Sequence, residues 1–530
     1  FDVETDGLNP RKNTVIGFGV SSATEGFYVP LYVYVHADAD LVRIGLSDSD
    51  VMMVLSSLQQ SKLITWNGSF DLRFAKHSLK VNLLEALWAD VKLMKHTCDE
   101  SFPFGLKEVA TKLWGHDIKK EKEDMQASIK EAGGSAKEYY KASTETLAKY
   151  CIQDCLLTFR LYNHYSEDLR RQNLQDFYYT SEVMPLYKTV TIPMEDKGIR
   201  VDVAAIEAAQ LELAQDIGKL EAQIQADIVG DLSLFTEWFL NKDYPLQTFT
   251  GKQPAWAKKG LTQYQAWAAD NPEGYMFNLQ SKHHLKKLFF DTYGLEPLSR
   301  TPTGLPQVDE EFLEHIKADR PWVSLLIDYN KLNKVKGTYV DNYVEENEDG
   351  IIYPSFMQHR TVSGRYGGDM QQLPRPLEPG QASELVRKHN NRIREFFIPR
   401  DGSLLVSADY EQLEPTVFAH ISGDPALHNI FNSGLDFYSE VAIRTEKLVA
   451  VSSTKTASDY LGKVDKVRRQ RAKVYALGIA YGMTDYKLQF EIGVSKEEAT
   501  QLVADYLAAL PKLASWMLRS KEHAKRYGQI

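Results

Sequence analysis

Cysteine is scarce in this sequence, since Cys98, Cys151 and Cys155 are the only three among 530 residues. Three cysteines cannot make a disulfide framework, and these three lack zinc-ligand partners at the usual spacings. We therefore expect a reducing, cytoplasmic setting. Cys151 and Cys155 are expected to be buried packing residues rather than redox groups.

Long apolar runs and an excess of positive charge are also absent. No stretch approaches the roughly 18 apolar residues of a membrane span, and no segment resembles a signal peptide. The 62 basic and 72 acidic side chains give 62 − 72 = −10. This balance argues against a protein that coats nucleic acid by bulk charge, but it leaves room for a local basic groove. We expect a soluble protein without a membrane partner.

The length and composition are those of an ordinary globular protein. The sequence is 43% hydrophobic and 25% charged, and at roughly 150 residues per domain it predicts three or four domains. Phe1 stands where a Met would begin a chain, and residues 1–7 have the pattern of a strand already under way. The last residues follow Gly528, which suits the end of a helix. We expect both ends to be cut.

The first 175 residues have an α/β pattern. Residues 1–35 alternate apolar and polar side chains as a hairpin does, and 63–66 predict a short strand. Asn67 is then expected to cap the helix that follows. Apolar residues recur at helical intervals over 145–171.

The rest of the chain is mainly helical in pattern. Helices are predicted before Gly198, over 203–230, near 280–290 and over 322–346. Between them, residues 233–276 lose periodicity and carry several Trp, Pro and Gly, which predicts an inserted lobe. A strand at Leu404–Asp409 is expected before a further run of helices.

Acidic residues of the first third suggest a metal site. Asp2 and Glu4 are two apart on a strand and share a face, while Tyr150 and Asp154 are one helical turn apart. If these residues and Asp71 converge, the carboxylates need divalent cations between them. Two such cations flanking a phosphate suit phosphodiester hydrolysis. The alternative, that each acid is simply solvated, stays open on spacing alone.

Three segments in order resemble the motifs of the DEDD exonuclease superfamily, in its tyrosine-containing subtype. They are Phe1–Leu8, Asn67–Asp71 and Tyr150–Asp154. The resemblance implies a ribonuclease H-like exonuclease domain that releases nucleoside monophosphates from a DNA 3′ end. It also implies that two metal ions are held by Asp2, Glu4, Asp71 and Asp154. Tyr150 would orient the attacking water.

Two clusters of the second half are informative mainly in combination. The Gly364-Arg365 turn, with the amide of Gln371 after it, could place donors along a duplex minor groove, or it could be a surface turn. Asp409 at the end of its expected strand could hold a metal at the sheet edge. It could equally cap the next helix.

A third cluster has a periodic form. Arg469, Lys473, Leu477 and Tyr481 step by four and line one stripe of a predicted helix. Two cations followed by an apolar residue and a ring suit a nucleoside triphosphate. The alternative is a solvated charged face, but such a face would not continue into leucine and tyrosine.

Together these clusters resemble the family A DNA polymerases. Residues 409–414 resemble that family's motif A and 469–481 its motif B. The resemblance implies an α/β fold in which an exonuclease domain (1–175) precedes a right-hand polymerase. Palm entry and a helical thumb would occupy 176–360, and an incomplete α/β palm with helical fingers would occupy 361–530, ending before motif C.

The same resemblance implies roles for single residues. Asp409 would bind magnesium, Arg469 and Lys473 would hold the triphosphate, and Lys473 would donate a proton to pyrophosphate. Glu414 would exclude a 2′-hydroxyl and Tyr481 would lie beneath the nascent pair. Further nucleotide contacts would come from Leu477 and Tyr410. DNA contacts would come from Arg365, Gln371, Gln412, Lys334 and Lys336.

The sequence departs from this family at several positions. Leu477 replaces the usual Phe or Tyr, and Tyr438 stands where many relatives have His. We expect Leu477 to alter sugar discrimination and slow insertion. No His-Asp-Glu follows Tyr481 within these residues, although that motif supplies the second metal-binding aspartate. We therefore expect residues 1–530 alone to extend primers negligibly while their nuclease survives.

The leading hypothesis is a template-directed DNA polymerase with 3′–5′ proofreading, acting in replication or repair. It would use two Mg²⁺ per active site, with Mn²⁺ as a substitute. Its partners would be primer-template DNA, single-stranded 3′ ends, dNTPs and other replisome proteins, in a bacterium or in the host of a phage. Two alternatives are an exonuclease whose polymerase half is only a DNA-binding scaffold, and a non-enzymatic replisome adaptor.

Overall fold

The computed structural model describes residues 1–36, 40–115, 117–240 and 278–528. The chain divides into two compact units, Phe1–Leu404 and Leu405–Ile530. The predicted insertion at 233–276 lies outside the described residues except for 233–240, which end a long helix. Among the described residues no helix is both long and apolar enough to span a membrane.

The strands are short and lie mostly in the first 90 residues. They are β1 (Asp2–Thr5), β2 (Val15–Ser21), β3 (Gly26–Pro30), β4 (Tyr32–Val35), β5 (Asp40–Arg43), β6 (Leu63–Thr65), β7 (Leu87–Asp90), β8 (Ile199–Arg200), β9 (Ile351–Ile352), β10 (Phe356–Met357) and β11 (Gly367–Gly368).

Helices make up most of the first unit. They are α1 (Asp48–Gln59), α2 (Gly68–His77), α3 (Val91–Cys98), α4 (Leu106–Trp114), α5 (Ile118–Glu131), α6 (Thr144–Arg171), α7 (Val183–Leu186), α8 (Ile192–Lys197), α9 (Val203–Leu240), α10 (Lys282–Lys286), α11 (Glu310–Ile316), α12 (Trp322–Val335), α13 (Asp341–Glu346) and α14 (Glu384–Arg392). Short π-helical turns continue several of them, at Phe177–Ser181, Tyr187–Thr191, Lys287–Thr292 and Lys336–Val340.

The regular elements described in the second unit are helices, which are joined by irregular segments. Its helices are α15 (Leu413–Ser422), α16 (Pro425–Asn432), α17 (Phe437–Thr445), α18 (Leu461–Val464), α19 (Lys466–Ala480), α20 (Asp485–Ile492), α21 (Lys496–Ala509) and α22 (Pro511–Tyr527).

The N-terminal sheet positions the first carboxylates. Strands β1, β2 and β3 form an antiparallel sheet in that order, as the hairpin pattern predicts. Asp2 lies opposite Gly19 and Glu4 opposite Gly17. A Cβ at Gly19 would come within 2.6 Å of the Cys151 sulfur of α6. Glycine therefore lets the long helix approach the sheet beside the acidic residues.

The start of α2 differs from the expectation. Asn67 does not cap this helix with its side chain, and its backbone has a left-handed φ of 69°. Asp90, at the end of β7, instead accepts from the backbone N–H of Gly68 at 2.7 Å and of Asn67 at 3.4 Å. Because β6 and β7 are parallel, Asp90 ends level with Thr65, two residues before Asn67. The cap comes from a neighbouring strand, which local sequence does not reveal.

Residues 404–409 are not a strand, which corrects a second expectation. They have no regular structure, and Leu404 and Val406 are each 86% exposed. An apolar segment becomes a strand only when another strand pairs with it. No such partner is present among the described residues of the second unit. Asp409 therefore does not stand at a sheet edge there.

Candidate functional site

The carboxylates predicted from the first two motifs lie together at the N-terminal sheet. Asp2 and Glu4 point to one side of β1, and with Cys151 they offer ligand atoms that all lie within 4.8 Å of one another. Asp71 of α2 accepts from the Val3 backbone N–H at 3.1 Å, which fixes it against the same strand. All of these groups belong to the first unit and are buried or half-buried.

Helix α6 brings the third motif to this cluster. Tyr150 and Asp154 lie one turn apart, and the charges of Asp154 and Asp2 act on each other. The Tyr150 ring packs edge to face against Tyr139, with 6.1 Å between centroids. The five residues of the three motifs thus belong to one electrostatic cluster.

Burial controls the electrostatics of the cluster. It raises the pKa of Glu4 well above its ordinary value, and the charges of Asp2, Asp154 and Asp71 raise it further. Burial also raises the pKa of Asp154 to about 7, although Lys107 acts in the opposite direction. The phenol of Tyr150 has a raised pKa for the same reason and is neutral at physiological pH. Several carboxyl groups this close resist ionising together. A divalent cation offsets their mutual repulsion and takes their oxygens as ligands.

Two residues of this site, and one contact of a third, were missed by sequence reasoning. Lys107 of α4 lies 2.9 Å from Asp154 and 2.7 Å from Glu121 of α5. Cys151 is fully buried as expected, but its sulfur also lies 3.5 Å from an Asp2 carboxylate oxygen. No sequence signal links these partners, because they lie on different helices and strands of the chain.

The second unit holds the stripe predicted on α19. Arg469 makes a two-point ion pair with Asp436, through Nε at 2.7 Å and Nη2 at 2.6 Å. Asp436 also accepts from the backbone N–H of Ser439, as the N-cap of α17. Part of the stripe therefore contacts the start of α17 rather than solvent. Asp436 is a further residue that sequence reasoning missed. Its only sequence signal is the Asp-x-x-Ser pattern before a helix.

Tyr438 lies between the two cations of the stripe. Its ring centroid is 5.5 Å from the Arg469 guanidinium carbon and 5.7 Å from the Lys473 nitrogen. Farther along, the Tyr481 hydroxyl donates to Glu414 at 2.6 Å. The structure thus brings Arg469 and Lys473 to one ring, and joins Tyr481 to the acidic residue of motif A.

The other predicted nucleotide-site residues are placed as follows. Leu477 is half-buried against the core of the second unit. Asp409 and Tyr410 are exposed in the irregular segment before α15. The predicted effect of Leu477 on sugar discrimination stays a prediction.

The predicted DNA-binding residues differ in their surroundings. Arg365, Gln371 and Lys334 are exposed in the first unit. Lys336 is half-buried and pairs with Asp341 at 2.7 Å. Gln412, in the second unit, has a left-handed φ of 55° and accepts from the Phe437 backbone N–H at 3.0 Å. The last two side chains thus have structural contacts as well.

Comparison with family models places the two halves of the chain. Residues 252–530 match the model described as DNA polymerase family A. Residues 1–166 match the model of the RNase_H superfamily.

Several curated proteins resemble the chain. A thermostable DNA polymerase I of Thermus filiformis is 28% identical over 403 residues, 75% of this chain and 40% of that protein. DNA polymerase I of Borreliella burgdorferi is 24% identical and matches 99% of this chain and 49% of its own length. The DNA polymerase of Bacillus phage SP01 is 24% identical, over 96% and 54%. The chain thus spans about half or less of the length of these relatives.

A solved structure has the same fold. It is described as the POL domain of Pol1 from M. smegmatis in complex with DNA primer-template and dNTP. The TM-score is 0.64 at 19% identity, over 99% of this chain and 75% of that one. A ribonuclease H-like domain followed by a polymerase-type domain is therefore the architecture of the chain.

Proposed function

The chain belongs to DNA polymerase family A, and from that membership we propose that it serves template-directed DNA synthesis with 3′–5′ proofreading. The convergence of Asp2, Glu4, Asp71 and Asp154 with Tyr150 carries the proofreading part. The relation to DNA polymerase I of several bacteria supports the synthetic part.

In the nuclease site, the four carboxylates would hold two Mg²⁺ or Mn²⁺ ions. When bound, these ions lower the pKa of a water and stabilise the leaving 3′-oxygen. The chain's own residues orient the reactants. Because its pKa is raised, the Tyr150 hydroxyl stays protonated and can position the attacking water by a hydrogen bond. Asp71 is buried and Glu4 is half-buried, which would limit the access of competing water to the reacting phosphate.

In the polymerase site, Arg469 and Lys473 would bind the triphosphate, with Lys473 the candidate proton donor to pyrophosphate. Asp436 occupies Nε and Nη2 of Arg469, and Tyr460 is a further hydrogen-bond partner of the guanidinium, so phosphate would share the fork with these groups. Asp409 would bind magnesium there. The Tyr481–Glu414 pair would hold Glu414 against the sugar and thereby disfavour a 2′-hydroxyl.

The proposed partners follow from the same chemistry. Arg365, Gln371 and Gln412, with Lys334 and Lys336, would contact primer-template DNA, and single-stranded 3′ ends would enter the nuclease site. The nucleotide substrates would be dNTPs. The basic residues contact phosphate without sequence preference, which suits a replicative or repair enzyme. Contacts with other replisome proteins, and a cytoplasmic location, complete the proposal.

The nuclease part is tested with a 5′-labelled single-stranded oligonucleotide and Mg²⁺. We expect Asp2→Ala with Glu4→Ala to lower the hydrolysis rate at least about 1,000-fold, because each metal contributes several kcal/mol to the transition state. The matched control replaces two exposed acids, Asp48→Ala with Glu145→Ala, and should retain the wild-type rate.

The synthetic part is tested in the full-length protein by primer extension. Asp409→Ala should abolish extension and leave hydrolysis intact, whereas the Asp2/Glu4 variant should do the reverse. Hydrolysis that persists in the Asp2/Glu4 variant would contradict the nuclease assignment. A wild-type protein that hydrolyses but never extends would favour an exonuclease with a scaffold half.

A further inference from the structure

Lys107 is a buried cation inside the proposed nuclease site. It is the second residue of α4, after Leu106, and its side chain is 10% exposed. Its ammonium nitrogen lies 2.9 Å from Asp154 Oδ1 and 2.7 Å from Glu121 Oε2. Taking an ammonium out of water is costly unless carboxylates pair with it, and two carboxylates do so here.

The same nitrogen also contacts Tyr150. It lies 3.2 Å from the centroid of the phenol ring, which is a close cation–π distance. Tyr150 and Asp154 are one turn apart on α6, so Lys107 contacts both functional side chains of that helix at once. Glu121 of α5 holds the ammonium from the other side. Side chains of α4, α5 and α6 therefore come together at the Lys107 ammonium.

The position of Lys107 makes it a competitor of the metal. A divalent cation that takes Asp154 as a ligand must approach a carboxylate whose Oδ1 the ammonium already contacts. Two cations near one carboxylate repel each other, and this repulsion is strong where water is excluded. The positive charge also acts on Asp2 and Glu4 at longer range.

We infer that Lys107, held by Glu121, is a counter-ion within the proposed nuclease site. It positions Tyr150 and Asp154, and its charge weakens the binding of the metal ion that uses Asp154 as a ligand. The inference rests on the proposed nuclease function. It adds to that function by naming a residue that controls how tightly the site binds its metal ion. Lys107 is a positioning residue, because the proposal assigns it no bond to the reacting atoms.

The inference predicts two effects of opposite sign. Lys107→Met keeps the length of the side chain and removes its charge. Without DNA, Mn²⁺ should bind the variant about three- to tenfold more tightly, because one repelling charge is gone. At saturating Mn²⁺, however, kcat for a single-stranded oligonucleotide should fall about tenfold, because Tyr150 and Asp154 lose their anchor. A variant that merely unfolds the site would lose metal affinity and rate together.

The experiment measures Mn²⁺ binding by titration calorimetry and hydrolysis separately, in wild type, Lys107→Met, Lys107→Arg and Lys112→Met. Lys107→Arg keeps the charge and should keep the wild-type Mn²⁺ affinity. Lys112→Met removes an exposed lysine of the same helix and should change neither quantity. If Lys107→Met does not fold, Lys107→Gln replaces it as the neutral variant.

The outcomes separate the two proposals. Tighter Mn²⁺ binding with slower hydrolysis in the neutral variant supports the inference. Unchanged or weaker Mn²⁺ binding in that variant, while wild type hydrolyses DNA, overturns the inference and leaves the proposed function standing. A wild-type protein that neither binds Mn²⁺ nor hydrolyses DNA overturns the proposed nuclease function and the inference with it.

Discussion

The carboxylate of Asp436 joins two helices of the second unit. It is fully buried, caps α17 through the Ser439 N–H and receives two bonds from Arg469. Burial by itself raises the pKa of this carboxyl, but the bonds from Arg469 and Ser439 outweigh burial, and the pKa is lowered. A carboxyl with a lowered folded-state pKa stabilises the fold above its unfolded pKa.

We therefore expect Asp436→Asn to lower the free energy of unfolding of the second unit by about 2–4 kcal/mol at pH 7, since it breaks a largely buried ion pair. Asparagine keeps the helix cap, so the loss reports the ion pair. The difference from wild type should shrink below about pH 4, where the unfolded carboxyl takes up a proton, and vanish as the folded one does. Urea unfolding of the full chain at several pH values measures it.

The control for this prediction is Glu522→Gln, which removes an exposed carboxylate of α22. It should change stability by less than about 0.5 kcal/mol at each pH. A loss in Asp436→Asn that is as large at pH 3 as at pH 7 would contradict the electrostatic account.

At the scale of secondary-structure elements, the contact between β2 and α6 determines where the third motif lies. A Cβ at Gly19 would lie 2.6 Å from the Cys151 sulfur and 3.0 Å from that of Cys155. Both sulfurs belong to α6, the helix of Tyr150 and Asp154. A larger residue at position 19 must therefore push the helix away from the sheet.

We expect Gly19→Ala to destabilise the first unit by about 1–3 kcal/mol through overpacking. In a Cys151→Ala background the same change should cost about 1 kcal/mol less, because the nearest sulfur is gone. A double-mutant cycle by chemical denaturation measures this coupling. Gly218→Ala, in the open interior of α9, is the control and should be stabilising or neutral. Additive changes in the cycle would contradict the contact account.

The elements also indicate where sequence reasoning succeeds and fails. Alternation and helical periodicity predicted the N-terminal hairpin and α6 because those patterns are local. The prediction that Asn67 caps α2 was wrong because Asp90, from a neighbouring strand, takes that role. The prediction of a strand at Leu404–Asp409 was wrong because an apolar pattern does not supply a strand for it to pair with. Lys107 was missed because its partners become neighbours only when three helices pack.

At the scale of the whole molecule, the two units carry separate apolar cores. The first contains clusters around α9 with α12 and around the N-terminal sheet, and the second contains one around α17 and α19. The family resemblance predicted both halves of the architecture, because each motif is a short contiguous segment that can be recognised without the fold. The boundary between the units, at Leu404 and Leu405, follows from packing and has no local signal.

The carboxylate cluster at the N-terminal sheet should make metal binding and stability inseparable in the first unit. Glu4 has a raised pKa, so its carboxyl destabilises the fold increasingly as pH rises above about 4.3, its unfolded value. In metal-free buffer at pH 7.5 we therefore expect Glu4→Gln to be more stable than wild type, by about 1–3 kcal/mol. With Mn²⁺ at about 100 times its dissociation constant, wild type should gain about 2.7 kcal/mol, because the ion binds only the folded state.

Glu4→Gln has one metal ligand fewer and should gain much less stability from Mn²⁺. The difference in unfolding free energy between this variant and wild type should therefore shrink or change sign when Mn²⁺ is added. Calorimetric unfolding of the full chain, with and without a chelator, measures both states. The exposed control Glu145→Gln should shift in parallel with wild type, because its carboxylate pairs with Lys149 on the helix surface. If Glu4→Gln and wild type gain equal stability from Mn²⁺, Glu4 is not a ligand. If Glu4→Gln is less stable than wild type without metal, the cluster is held by contacts that compensate its charge repulsion.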